Sequence, residues 1–520
     1  MILSVQLFGL RVHRDIHNPG KIPIALDTMR IVFHNSTIMK IIATCIFLLY
    51  LHASAGASLA SFTIQDEKKL GKELYDKLED KGAFVKNPKI NNYIKKIGDL
   101  LLSHTEHSFF DFTFSVIDSP GINAFATPGG YIYLFRGLIE LTENENQLAG
   151  VLAHEIAHIK ARHIARTIEK SKQINIATLA AILAGAFLGG GDVAAATIGF
   201  STATATTLNL KYSREHEEEA DRRGMLYLTK TGYDGEGMLN FLKIMRQYEF
   251  YSNSVPSYFL THPGTGDRIR YLDGLLQTKY TERGSKSIIG NLERIKTILV
   301  IGRKDPDSGI KYFQNVLAKD PNNPDALYGL AVIQGRLGRT LKSFANFDKA
   351  LSLSPNDSDI LRDLGISYFN IGKVAEAIEA LQRAHRIDRE DPDTTFYLGR
   401  AYAAAGEYTP ALEFYKEFLK KNPDDIQVYH NLAMLYGKAG MKGESHYHFG
   451  IFFKKGHKRK SALFHFREAQ SFFPPGSEMS GKIKEEIDSL EDNSTGGEDR
   501  YSKPVYSERV RLSQIPHSVH

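Results

Sequence analysis

The feature that most restricts what this 520-residue chain can become is a repeat in its C-terminal half. Gly338, Gly372, Gly406 and Gly440 stand 34 residues apart, and Leu330, Leu364, Leu398 and Leu432 keep the same interval. Tyr368, Tyr402 and Tyr436 do so too, and Pro321, Pro355 and Pro423 hold a further register with one position, Arg389, missed. Chance does not keep such series in phase. A period of this size means one supersecondary unit stacked on its neighbours, each burying a face the next would leave open. Glycine permits a tight turn between helices, and small residues such as Ala350 and Ala384 let helices approach.

A helix-turn-helix period of 34 residues resembles the tetratricopeptide repeat, over about residues 291–475. The resemblance implies an α-solenoid whose concave face offers an extended surface to a partner segment. After Gly440 the next turn glycine, Gly456, is out of phase, which suits terminal capping helices. Residues 476–520 are expected to be a disordered tail, since "NSTGGEDRYSKPVYSERVRLSQIPHSVH" from Asn493 has few apolar residues.

A chain this long needs more than one core, so a second domain is expected ahead of the repeats. At the N-terminus, Lys40 precedes the apolar run "IIATCIFLLYL" and then "HASAGA". The run is too short to span a bilayer, and Ala53-Ser54-Ala55 has the form of a signal-peptidase site. Residues 1–55 are therefore read as a signal peptide behind an overextended start, with Met29 and Met39 as other starts and an uncleaved anchor as the alternative. Cleavage after Ala55 removes the single cysteine, Cys45, and leaves a thiol-free chain suited to an oxidising compartment. The first 55 residues carry +3 of the net charge of +5, so the remainder is nearly neutral and has no electrostatic footprint for nucleic acid.

Residues 56–285 read as the second domain, α+β and mainly α. Spaced apolar residues predict helices from about 61 to 102, and "FDFTFSVIDS" alternates as a strand. In "NAFATPGGYIYLFRGLI", Pro128-Gly129-Gly130 divide two extended runs, which predicts a small antiparallel sheet. The most apolar stretch, Ile176 to Gly191, is short of the roughly 20 residues of a spanning helix. It reads as a buried or domain-contact hairpin, or as a mobile flap that also touches a membrane surface.

"VLAHEIAHIKARH" carries the chemistry. His154 and His158 lie one helical turn apart on one face, so two imidazoles can reach a single zinc ion, with a third protein ligand and a water completing the site. Glu155 is rotated about 100° from His154, beside the ion instead of on it, where it can take a proton from bound water. The flanking residues are apolar, and two histidines and a carboxylate in a buried helix are costly without a partner. The competing reading is a helix whose histidines merely hydrogen-bond in a core. A third ligand is sought in "SREHEEEADRRG", where Ala220 and Gly224 lie at i+3 and i+7 from Glu217, on a face that can press on the zinc helix. This selects Glu217, leaves Glu215, Glu218 and Glu219 as a solvated acidic face, and places Asp221 to fix a ligand histidine's tautomer.

H-E-x-x-H at His154 to His158, followed by E-x-x-A-D at Glu217 to Asp221, resembles the gluzincin peptidase family of HtpX, Ste24 and Oma1. The similarity covers about residues 61–275, taking in "NAFATPGGYIYLFRGLI" and "THPGTGDRI", and with the repeats it resembles the BepA-type periplasmic members. The resemblance implies a gluzincin domain holding one Zn2+ through His154, His158 and Glu217, with Glu155 as base. It further implies that Asn123, Ala124 and Phe125 form an edge strand that pairs with extended substrate backbone. His262 is then a gate or fourth ligand able to silence the site, or an unremarkable loop histidine. Arg268 is a candidate transition-state stabiliser, or else half of a surface salt bridge. The expected protein is a periplasmic zinc endopeptidase, peripherally membrane-associated, acting on unfolded or misassembled outer-membrane proteins, with the repeats contacting clients and the assembly machinery. The rivals are a chaperone or adaptor with a latent site, and an intramembrane protease.

Overall fold

The computed structural model describes residues 62–169, 179, 180, 183, 212–252 and 257–492. The expected signal segment with Cys45, most of the apolar stretch 176–191 and everything from 493 onward lie outside them. Of that stretch Leu179, Ala180 and Leu183 are described, and all three are buried beside Leu70, Phe125, Ile164 and Ile168. Among the described residues no helix is long and apolar enough to cross a membrane.

Helix α1 (Ile64–Asp80) starts at a capping box between Thr63 and Asp66 and buries Leu70, Leu74 and Leu78, a spacing of one turn. Helix α2 (Pro88–Leu102) begins where Asn87 accepts from the Lys89 and Ile90 amides, with Pro88 at the first position, where a missing N–H costs nothing. Strands β1 (Thr113–Ile117), β2 (Ala124–Thr127) and β3 (Tyr131–Phe135) follow, in the order β1-β3-β2. The antiparallel pairing expected of the two runs around Pro128–Gly130 is found, and β1 adds a third strand to it. β2 and β3 pair antiparallel across Pro128–Gly130, but β1 pairs parallel to β3, with Thr113 opposite Tyr131. The hairpin is local and rests on Gly129 and Gly130 at φ 87° and 100°, where side chains rarely go. β1 is placed from outside, by α2. Gly98 lets the Phe114 ring lie against that helix, since a Cβ there would come within 2.2 Å of the ring.

After α3 (Arg136–Leu141), α4 (Glu145–Lys160) carries the H-E-x-x-H motif, and every residue from Glu145 to Ile159 is buried. A short α5 (His163–Glu169) follows. Around α4 pack α2, β2, α6 (Arg214–Lys230) and α7 (Glu236–Ser252), while α8 (Ser257–Thr261) and α9 (Thr265–Thr278) complete the domain. Gly224 faces α4, since a Cβ on it would stand 3.1 Å from the His154 backbone nitrogen, and Ala220 is wholly buried in the same core, so the glycine permits the close approach expected of it.

The division expected at 285–291 is not where packing separates. On α10 (Leu292–Ile301), Leu292, Ile295 and Leu299 join the N-terminal core, whereas Val300 and Ile301 join that of the first repeat. The solenoid runs through α11 (Pro306–Lys319), α12 (Pro324–Arg336), α13 (Thr340–Leu353), α14 (Ser358–Asn370), α15 (Val374–Ile387) and α16 (Pro392–Ala405). It continues with α17 (Tyr408–Lys421), α18 (Ile426–Lys438), α19 (Lys442–Lys455), α20 (Arg459–Ser471) and α21 (Glu478–Asp492). Gly338, Gly372, Gly406 and Gly440 turn at φ 69°, 80°, 81° and 78°, so the glycine register is a register of left-handed turns. A second register escaped the sequence reading: Asn323, Asp357, Asp391 and Asp425, 34 residues apart, cap α12, α14, α16 and α18. The disordered tail expected from 476 is corrected at its start. α21 is helical through Asp492, with Ile483 and Ile487 buried in one cluster with Ala462 and Phe466.

Candidate metal centre

His154 and His158 face the same way from α4, their Nε2 atoms 2.9 Å apart. Ser213 caps α6 by accepting from the His216 amide, and from the first turn of that helix Glu217 reaches across. Its carboxylate oxygens lie 3.5 Å from His154 Nε2 and 3.4 Å from His158 Nε2. His262, immediately after α8, brings Nδ1 to 3.1 Å from Glu217 Oε1 and 3.3 Å from His154 Nε2. These four buried side chains each offer a ligand atom, all within 4.8 Å of one another. Ligands of a tetrahedral ion with bonds of about 2.0–2.1 Å stand roughly 3.3 Å apart, and three imidazoles with one carboxylate are a donor set that suits zinc. The observed separations of 2.9–3.5 Å therefore fit a small cation.

Glu155 is wholly buried, and neither of its oxygens has a hydrogen-bond partner among the described residues. His262 Nε2 lies 3.5 Å from its Oε1. Burial pushes the Glu155 carboxyl up. Burial and Arg268 work against protonating His154, but Asp221 and Glu217 outweigh them and push it up to about 9. His158 is held low by burial and by His154 beside it.

Behind the centre, Asp221 Oδ1 is 3.0 Å from His154 Nδ1, the far nitrogen it was expected to hold. Arg268, from α9, grips Asp221 with two hydrogen bonds of 2.8 Å and lies 2.6 Å from Glu217. It is 5% exposed, so the surface salt bridge is ruled out, and its guanidinium is committed to two buried carboxylates. Of the expected edge strand, Ala124 and Phe125 belong to β2, and Asn123 precedes it with its carbonyl accepting from the Phe135 amide. Along the outer edge the Ile122, Ala124 and Ala126 carbonyls meet the Tyr258 amide at 3.1 Å, His262 Nε2 at 3.3 Å and the Tyr212 hydroxyl at 3.3 Å. Tyr212 also stacks on His158 with ring centres 3.7 Å apart, and Tyr258 on His262 at 4.4 Å.

Sequence reasoning missed part of the surroundings. Glu219, read as solvated, instead pairs with His163, Arg166 and Arg223, whereas Glu218 is exposed and pairs along its own helix with Arg222. His163 is fully buried, its Nδ1 2.8 Å from His158 Nδ1. No face-based signal could have found it, because position i+5 of a continuous helix points elsewhere.

Helical repeats joined to a domain with such a centre define a class: a domain able to hold a metal ion, carried on a repeat scaffold. Residues 88–276 match the model of Peptidase family M48, and residues 301–358 and 372–435 match tetratricopeptide repeats. A relative from Vibrio cholerae is 35% identical over 220 residues, 41% of this chain and 44% of that one. The Beta-barrel assembly-enhancing protease of Escherichia coli (strain K12) is 32% identical over 215 residues, 40% of this chain and 43% of that one. The Mitochondrial metalloendopeptidase OMA1 of Schizosaccharomyces pombe is 28% identical over 192 residues, 37% of this chain and 54% of that one. The chain thus matches about half the length of these relatives, or less.

Proposed function

We propose that the chain is a zinc-dependent endopeptidase of the bacterial cell envelope, working in the periplasm on misassembled outer-membrane proteins and aiding their assembly. The observation that carries this is the convergence of His154, His158, Glu217 and His262 beside a glutamate whose oxygens are otherwise unused. When bound, zinc polarises a scissile carbonyl and lowers the pKa of an attacking water. Glu155 accepts that water's proton and delivers it to the leaving amine. Asp221 and Arg268 hold His154 and Glu217 in place. An extended substrate pairs along β2 at Asn123 to Phe125, where side chains and a helix start, not another strand, now meet the outward carbonyls. The envelope setting and the clients are supported by the signal-like N-terminus and by the names of the bacterial relatives. Client recruitment by the repeats is supported by the solenoid alone.

One observation favours a second reading, a scaffold or chaperone with a latent site: His262 fills the place a water or substrate would take and also contacts the β2 edge. Casein digestion by the wild type, Glu155→Gln and His262→Ala, with bound zinc measured in each, tests both. We expect zinc in all three, cleavage by the wild type, faster cleavage by His262→Ala, and none by Glu155→Gln. A wild type that stays metal-free after reconstitution refutes the enzyme. Zinc-loaded wild type and His262→Ala that both leave casein intact while rescuing clients put the second reading in its place.

A further inference from the structure

The two histidines of α4 are not held in the same way. Each must keep one ring nitrogen on the centre, and the group bonded to the other nitrogen sets the tautomer and the ring orientation. Asp221 serves His154 directly. Among the described residues His158 meets no carboxylate on its far side; its Nδ1 faces Nδ1 of His163 at 2.8 Å, and His163 Nε2 lies 3.2 Å from Glu219 Oε2. Glu219 is in turn gripped by Arg166 at 3.0 Å and Arg223 at 2.9 Å. We propose that His163 and Glu219 are positioning residues that orient His158 for metal binding through a histidine-to-histidine relay. The proposal rests on the metallopeptidase reading above.

The proton arrangement has one self-consistent solution. With the His158 Nε2 lone pair turned to the centre, its proton sits on Nδ1 and is donated to His163 Nδ1. The His163 proton is then on Nε2 and is donated to Glu219, so no donor faces a donor along the chain. His163 is not itself in the ligand group. Its nearer nitrogen is spent on the rear of His158.

The backbone is bent to allow this. In an unbroken helix, position i+5 stands about 140° around the axis from position i, and the two rings could not meet. α4 ends at Lys160 with Ala161 as its C-cap, and Arg162 takes φ 54°, a left-handed conformation that a residue with a side chain holds only where its surroundings fix it. The fixing comes from α1 and its lead-in: Arg162 donates to buried Glu67 at 2.6 Å and to the Phe62 carbonyl at 3.1 Å. The break turns the start of α5 back, and His163 stacks on His216 with ring centres 4.3 Å apart.

The test is zinc affinity of the full chain, by competition with a chromogenic chelator, for His163→Phe, His163→Gln, Glu219→Gln and the double variant His163→Phe with Glu219→Gln. Loss of a supporting partner typically weakens a metal site by about 10–100-fold, which is expected for His163→Phe. His163→Gln, which keeps an acceptor, should recover part of the loss, and Glu219→Gln should weaken binding less. In the double variant Glu219→Gln should add nothing, because without His163 it has no route to His158. Additive losses overturn the relay, as does a folded His163→Phe that binds zinc like the wild type. Should His163→Phe fail to fold, Glu219→Gln decides, since that side chain is 30% exposed and tolerant; unchanged affinity there overturns the proposal. A wild type that binds no zinc sinks the metallopeptidase reading instead.

Discussion

Glu145, the first residue of α4, is 1% exposed, yet it is the most heavily hydrogen-bonded carboxylate on that helix. It accepts from the Tyr93 and Tyr233 hydroxyls at 2.9 and 2.6 Å and from the Ile288, Ile289 and Gly290 amides at 2.7, 2.8 and 2.7 Å. It therefore ties the metal-bearing helix to the segment that leads into the repeats, and its charge sits at a helix N-terminus, where the dipole favours it. Hydrogen bonds to a charged group contribute roughly 1.5–3 kcal/mol each without adding fully, and removing one partner of a buried charged set costs about 3–5 kcal/mol. Glu145→Gln keeps the shape but turns an amide N–H toward donors, so about 3–4 kcal/mol is expected to be lost. At about 2–4 °C per kcal/mol for a domain of this size, the N-terminal transition should drop by roughly 10 °C at neutral pH. Burial pushes this carboxyl up, but Tyr233, the Ile288 and Ile289 amides and Tyr93 outweigh it, and it titrates below its ordinary value. A depressed folded pKa gives stability that is full above the unfolded value of about 4.3 and fades as pH falls through the folded one. The gap between wild type and variant should therefore narrow in acid. Scanning calorimetry of the full chain from pH 7 down to pH about 3.5 reads both effects. A gap under about 2 °C at pH 7, or one that widens in acid, refutes the reasoning.

Zinc at about 100 times its dissociation constant should stabilise the folded chain by about 2.7 kcal/mol, so chelation should lower the same transition by roughly 5–10 °C; no shift in the calorimeter argues against the site. Gly224→Leu should force α6 off α4, cost about 1–3 kcal/mol and weaken zinc binding while the repeats melt unchanged, and unaltered affinity would show that the close approach at Gly224 is not needed. The ion pairs between the domains should be unequal. Lys89, whose side chain is 36% exposed, pairs with Asp359 across the domains, so Lys89→Met should cost only about 0–1 kcal/mol in thermal denaturation. Arg294, 14% exposed and shared by Asp325, Asp357 and Asp359, should cost about 3–5 kcal/mol as Arg294→Met, and equal losses for the two would contradict this.

What could be read along the chain was whatever repeats at short or regular intervals. The turn glycines recur because each repeat closes with a left-handed residue, and His154 and His158 share a face because a helix returns every 3.6 residues. Glu217 was legible through Ala220 and Gly224, since a helix that must press on another shows its small residues at helical spacing. Asp391 and its fellow caps were equally legible and went unread.

Folding in three dimensions supplied the rest, wherever a group's partner is chosen by packing and not by its own helix. The parallel seat of β1 depends on the space above Gly98, and the burial of Arg268 on two carboxylates from another helix. His163 reaches His158 only because Arg162 leaves the helical path. α21 holds its place through Ile483 and Ile487, whose partners lie in α20, so a stretch of modest hydrophobicity orders when it has a surface to cover. Periodicity belongs to the backbone and is written in the order of residues; convergence across a hundred residues is settled only when the cores close.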